Sequence, residues 1–232
     1  MTLSRQQTIG LIVGAVVVAL AAYGLWMITH PANPYKGLTL TRVVTLDEAT
    51  REYFEQRLET TKAAIAAAEA SGEEVDLDLY LSAASDAYSL GDLVQAREML
   101  EKQLEGNSLN FVAWNNYALI LEAMGDYDAA ETAFRKTLEI EQGIEKYSID
   151  YADFLREHFP ERREDLKAIL EANLALGGQT VWNMVALAEW YAEGGECQKA
   201  VDHYEVAVVL DPKNQALKDD MAALEASCQT QD

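Results

Sequence analysis

Residues 88–100 read YSLGDLVQAREML, and residues 122–134 read EAMGDYDAAETAF. Their glycines, Gly91 and Gly125, stand 34 residues apart, as do Ala96 and Ala130, and Leu100 and Phe134. A fixed internal period of this size marks a unit that cannot bury its apolar face alone and stacks against copies of itself. Gly195, followed by Ala200 and Tyr204, continues the series. Ala200 lies 70 residues beyond Ala130, two more than twice the period, so one unit between them is lengthened. Pro160 stands where that unit should carry its glycine turn.

The period and the residues that recur with it resemble the tetratricopeptide repeat family. The second unit carries the resemblance best, with Trp114, Tyr117, Ala118, Leu121, Gly125, Ala130 and Phe134 in the family's positions. The fourth supplies Leu187, Ala188, Tyr191, Gly195, Ala200, Tyr204, Ala207 and Pro212, and the first Ala84, Gly91, Ala96 and Leu100. The third keeps Tyr151, Ala152 and Leu155, with a second helix expected from about Glu161 to Leu176 and stopped by Gly177-Gly178. The resemblance implies an all-α fold, a right-handed superhelix of helix pairs. Its repeats are expected at 77–110, 111–144, 145–180 (divergent) and 181–214.

The packing logic is visible in residue size. Ala118, Ala130, Ala188 and Ala200 let antiparallel helices approach closely, and Trp114, Phe134 and Tyr204 fill the space between units. Helices are expected over both ends of the array. On the N-terminal side, Thr45-x-x-Glu48 has the form of a capping box, opening a helix over 46–71 with Phe54, Leu58 and Ile65 on one side. That helix covers the first repeat or pairs with a second copy of itself. On the C-terminal side, 215–228 is amphipathic, with Leu217, Met221 and Leu224 on one face.

Ahead of the repeats, Ile9 to Ile28 are 20 residues without a charge. A helix of that length matches a bilayer core of roughly 30 Å. Tyr23 and Trp26 lie near its end, where amphipathic rings favour the lipid–water interface. A cleaved signal peptide is the competing reading, since Ala19-Leu20-Ala21 offers a cleavage site, but the apolar run continues to Ile28. The expectation is a short head at 1–8, a single transmembrane signal anchor at 9–28 and a linker at 29–45 containing Pro31 and Pro34. Arg5 is closer to the membrane than Lys36 or Arg42, which points to a cytoplasmic N-terminus and an extracytoplasmic C-terminal domain. A cytoplasm-facing domain is the alternative.

Charge narrows the partners. No acidic residue precedes Asp47, and three of the 18 basic residues do, so the remainder carries 39 acidic against 15 basic side chains. Such a domain is repelled by nucleic-acid phosphates and attracts basic or amphipathic protein segments. The chain shows no metal-binding His or Cys spacing and no phosphate loop, so no catalytic, cofactor or metal residues are expected. Of the three histidines, His30 sits at the membrane edge, His158 precedes the Pro160 turn, and His203 is expected to face outward. In the geometry implied by the resemblance, Cys197 and Cys228 fall on one edge of the superhelix, so a disulfide between them is a candidate, with two unrelated thiols as the alternative.

The resemblance implies a peptide-binding groove lined by the first helix of each repeat. Projected onto this chain, its residues are Tyr88; Asn115, Leu119 and Glu122; Ile149, Asp153 and Arg156; and Trp182, Val185 and Glu189. A carboxylate-recognising groove is disfavoured. Asn116 and Lys146 fit one, but Leu81, Ser85 and Asp150 stand where it needs polar or basic side chains. The expected function is a non-catalytic, membrane-anchored scaffold for a basic or amphipathic protein segment. The alternative is a structural subunit that oligomerises through its anchor or its 46–71 helix.

Overall fold

Ten helices run through residues 33–228, the part of the chain that the computed structural model describes. They are α1 (Glu48–Ser71), α2 (Leu77–Leu90), α3 (Leu93–Gly106), α4 (Phe111–Met124), α5 (Tyr127–Ile140), α6 (Glu145–His158), α7 (Arg163–Gly177), α8 (Val181–Glu193), α9 (Cys197–Leu210) and α10 (Gln215–Cys228). Each packs on the next in chain order, which makes the molecule an all-α helical-repeat solenoid. Among the described residues no helix is long and apolar enough to cross a membrane. The apolar run Ile9–Ile28 lies outside the described residues. Residues up to Leu38 form a unit separate from the one that begins at Thr39. In the former, 33–38 is a turn in which the Lys36 amide donates to the Asn33 carbonyl and the Leu38 amide to that of Tyr35.

The pairs α2–α3, α4–α5, α6–α7 and α8–α9 are the repeats. Their first helices start at Leu77, Phe111, Glu145 and Val181, so the two extra residues belong to the third unit. The alanines expected at close approaches (Ala118, Ala130, Ala188 and Ala200) are fully buried. Phe134 fills the seam to the third repeat, with Tyr151 stacked at 5.7 Å and Phe154 tilted at 5.1 Å. The third pair packs less extensively than the other pairs, because Phe159–Arg162 replaces a tight glycine turn. Its second helix is Arg163–Gly177, two residues later in starting than the sequence suggests.

At the N-terminal end, α1 packs on α2 through Leu58 and Ile65, with Phe54 half-buried. Arg57 reaches across to Asp86, which is wholly buried, with a closest N–O distance of 2.7 Å. Burial pushes the Asp86 carboxyl up, and Arg57 offsets part of that shift. The expected capping box is corrected: the N-cap is Asp47, not Thr45, and its carboxylate accepts from the Thr50 amide and hydroxyl. Asp47 wins because a carboxylate one residue before the helix reaches the free amides of the first turn and favours the helix dipole.

The expected linker is pinned from Thr39 onward. The Thr39 amide donates to the Met124 carbonyl at 2.8 Å, the Leu93 amide to Leu40 at 3.1 Å, and the Arg42 amide to Gly91 at 2.9 Å. Arg42 also lies 3.9 Å over the Tyr88 ring. Both Gly91 and Gly125 adopt positive φ, +88° and +81°. A side chain on Gly125 would meet open space, whereas one on Gly91 would sit 2.4 Å from the Arg42 carbonyl. Gly125→Ala should therefore cost about 1 kcal/mol, the backbone penalty alone. Gly91→Ala should cost roughly twice as much and release the strap. Urea titration of both variants checks this, and equal costs would contradict a close-packed strap.

At the C-terminal end, Leu217 of α10 is buried in the last core cluster, with Met221 and Leu224 half-buried against it. Cys197 at the start of α9 is bonded to Cys228 at the end of α10, with a Cα–Cα distance of 5.8 Å. His203 does not face outward as expected: it is half-buried and stacks on Tyr191 at 5.3 Å.

Candidate functional site: the row of first helices

The first helices carry the projected site residues, and polar contacts lace these helices side by side. Between α4 and α6, Asn115 donates to Asp150 at 2.7 Å, and Glu122 pairs with His158 at 2.9 Å. Between α6 and α8, Arg156 lies 3.6 Å from Glu189 and also donates to Asp153 at 3.2 Å. Lys146 pairs with Asp150, so the one basic residue that fitted a carboxylate-recognising groove is already engaged.

The projected residues differ in availability. Asp153 and Glu189 are exposed; Leu119, Glu122, Ile149, Arg156, Trp182 and Val185 are half-buried. Trp182 and Val185 pack against the last core cluster, which limits Trp182 as a free anchor. Asn115 is corrected from a surface contact to a buried strut, 1% exposed, because its amide is drawn between α4 and α6 by Asp150. Tyr88 is covered on one face by Arg42. Its other neighbours, Ser85, Asn116 and Leu119 among them, line a small hollow of about 100 Å³ between α2 and α4.

Electrostatically the row is under-neutralised. Burial pushes the Glu122, Asp153 and Glu189 carboxyls above their ordinary values, with His158 or Arg156 offsetting part of the shift. Neighbouring carboxylates add to it: Asp150 and Glu157 for Glu122, Asp150 for Asp153, and Glu193, Asp220 and Asp153 for Glu189. A cation placed there would relieve all three. Glu122, Glu157 and His158 also hold ligand atoms within 4.8 Å of one another. His158 is accounted for without an ion by its bond to Glu122 and its stacking on Tyr127 at 4.2 Å.

One polar motif escaped the sequence reading. Arg97–Glu101 on α3 and Glu131–Arg135 on α5 are helix ion pairs of opposite order. The hydroxyl of the following repeat donates into each, Tyr117 to Glu101 and Tyr151 to Glu131. The signal available was the family-position tyrosine itself, which needs an acceptor when buried.

Residues 112–143 match the model of the tetratricopeptide repeat. They include α4 and α5 almost whole. The fold as described resembles solved tetratricopeptide-repeat structures. A crystal structure of MamA aligns with a TM-score of 0.60 and 13% identity, over 73% of this chain and 98% of that one. The 41-end fragment of MamA from Desulfovibrio magneticus RS-1 aligns at 0.55 and 18%, covering 66% and 88%. YrrB, described as a TPR protein with an unusual peptide-binding site, aligns at 0.53 and 17%, covering 77% and 85%. At these identities the likeness is one of fold. No curated protein matches the sequence.

Proposed function

We propose that this chain is a non-catalytic scaffold that holds a cationic segment of a partner protein along the first-helix row. The observation that carries this reading is the placement of Glu122, Asp153 and Glu189 on three successive first helices, among the further acids Asp150, Glu157, Glu193 and Asp220, with His158 and Arg156 as the bases that face them. The peptide-binding description of YrrB agrees with it at the level of fold. The apolar run 9–28 anchors the scaffold in a membrane, and the repeats stand on the extracytoplasmic side, where a disulfide between Cys197 and Cys228 persists.

Fluorescence anisotropy on the full chain in lipid nanodiscs, with a fluorescein-labelled lysine-rich nonapeptide as probe, tests the row. The double variant Asp153→Lys, Glu189→Lys should weaken binding by about tenfold or more. Binding should also weaken on acidification, beginning above the ordinary carboxylate range because all three carboxyls are shifted upward. Unchanged affinity in the charge-reversed variant would remove the row as the site. Protease digestion of intact cells tests the orientation: a protected repeat domain would place it in the cytoplasm.

A further inference from the structure

Helix α10 starts at Gln215, 34 residues after the start of α8 at Val181, and so stands in the register of a further first helix. In that register Asp219 takes the place of Val185, a residue of the first-helix row, and Asp220 that of Ala186. Both carboxylates are exposed. Ala216 and Ala223 stand where α8 has Trp182 and Glu189, so no bulky side chain of α10 occupies those two places. Leu217, Met221 and Leu224 turn inward to the last core cluster. Asp220 is left on the flank, about 60° around the helix from Leu217. There it acts on the neighbouring helices. Burial pushes the Glu189 carboxyl of α8 and the Tyr204 hydroxyl of α9 up, and the Asp220 carboxylate adds to both shifts.

Little but the disulfide fixes α10 in that register. Leu217 is its single fully buried side chain, and a helix of 14 residues is marginal by itself in water. The bond joins its last residue, Cys228, to Cys197 at the start of α9. These are the only two cysteines of the chain, so thiol chemistry acts on this helix and nowhere else.

We propose, on the reading that the first-helix row is the binding site, that this disulfide is a latch on the row. With the bond closed, α10 stands as the last wall and adds Asp219 and Asp220 to the surface that holds a cationic segment. With the bond open, α10 frays and the row ends at Glu189. The scaffold therefore reaches its full grip only after oxidation. Closing the latch forms one S–S bond from two thiols. A disulfide-bearing thiol oxidant takes up the two electrons and two protons by exchange and leaves as a dithiol.

The test is fluorescence anisotropy of the labelled lysine-rich nonapeptide on the full chain in lipid nanodiscs, oxidised and then reduced with a phosphine. Reduction should weaken binding roughly threefold to fivefold, the size expected for two exposed charge pairs, and reoxidation should restore it. Asp219→Asn, Asp220→Asn removes the charge with little change of shape. It should weaken binding of the oxidised chain by the same factor and leave the reduced chain unchanged. A bond that served stability alone would not make the effect of these carboxylates depend on redox state. Equal losses in both states, or an affinity indifferent to reduction while Asp153→Lys, Glu189→Lys still weakens it, would overturn the latch and leave the row standing. Indifference of the oxidised chain to Asp153→Lys, Glu189→Lys would remove the row and the latch with it. Loss of hydrogen-exchange protection throughout α2–α8 on reduction would also overturn the latch, since the opening would then be global.

Discussion

Replacing Cys228 with serine, or reducing the chain, should lower its unfolding free energy by about 3–4 kcal/mol. The bond links residues 31 apart in sequence. Closing a loop of that length removes denatured-state entropy equivalent to about 3–4 kcal/mol at 25 °C. The loss should concentrate at one end of the solenoid. Helix α10 buries only Leu217 fully, and its N-terminal start at Gln215 follows directly on the α9 loop. Without the bond it has Met221 and Leu224, both half-buried, to hold its second half. Hydrogen exchange on the serine variant should show α10 losing protection first, with α9 next and α2–α5 unaffected. Urea midpoints that do not move on reduction would mean the bond contributes nothing to stability in solution.

The second large effect belongs to Arg162. Its guanidinium donates two bonds of 2.8 Å to the two oxygens of Glu131 and also pairs with Asp165. Glu131, with its side chain 15% exposed, accepts from Tyr151 and Arg135 as well. Arg162 is the chief cause that draws the Glu131 carboxyl from 4.5 down to about 2. The folded-state value is depressed, so this contribution is present in full above the unfolded value. It is lost as pH falls from 4.5 through about 2. With a discount for screening at a partly wet site, it is worth about 2 kcal/mol. Arg162→Ala should cost about that much at neutral pH, and the difference from the parent chain should vanish near pH 2. Urea titrations of both proteins across that range measure it. A gap that stays constant with pH would show that Arg162 acts by packing on Phe159, over which it lies at 5.2 Å, and not by charge.

These two interactions differ in how far they could be read in advance. The cysteines sit in register with the repeat, one after a turn glycine and one at the end of the covering helix, so the helix-pair geometry brings them together. Arg162 occupies the lengthened turn, the one place where the period fails, and its partner is 31 residues away on another repeat. Periodicity carries no information at an insertion. The placement of the projected residues was legible in the same partial way. The resemblance put Glu122, Asp153, Arg156 and Glu189 on the first helices, where polar contacts link one helix to the next. It could not tell that Asn115 turns inward to Asp150, because a step of one residue, about 100° around the helix, separates a groove position from a buried one.

By itself the sequence determined the repeat architecture, the position of its one irregular unit and the acidic character of the domain. It could do so because packing alanines and turn glycines recur at a fixed spacing, and because charge is additive along a chain. Tertiary structure alone decided that Thr39–Arg42 is strapped to the first repeat and that Arg162 clamps Glu131. Each of these depends on the distance between side chains of different repeats. That distance is set by how far the helices approach, a quantity no local pattern encodes.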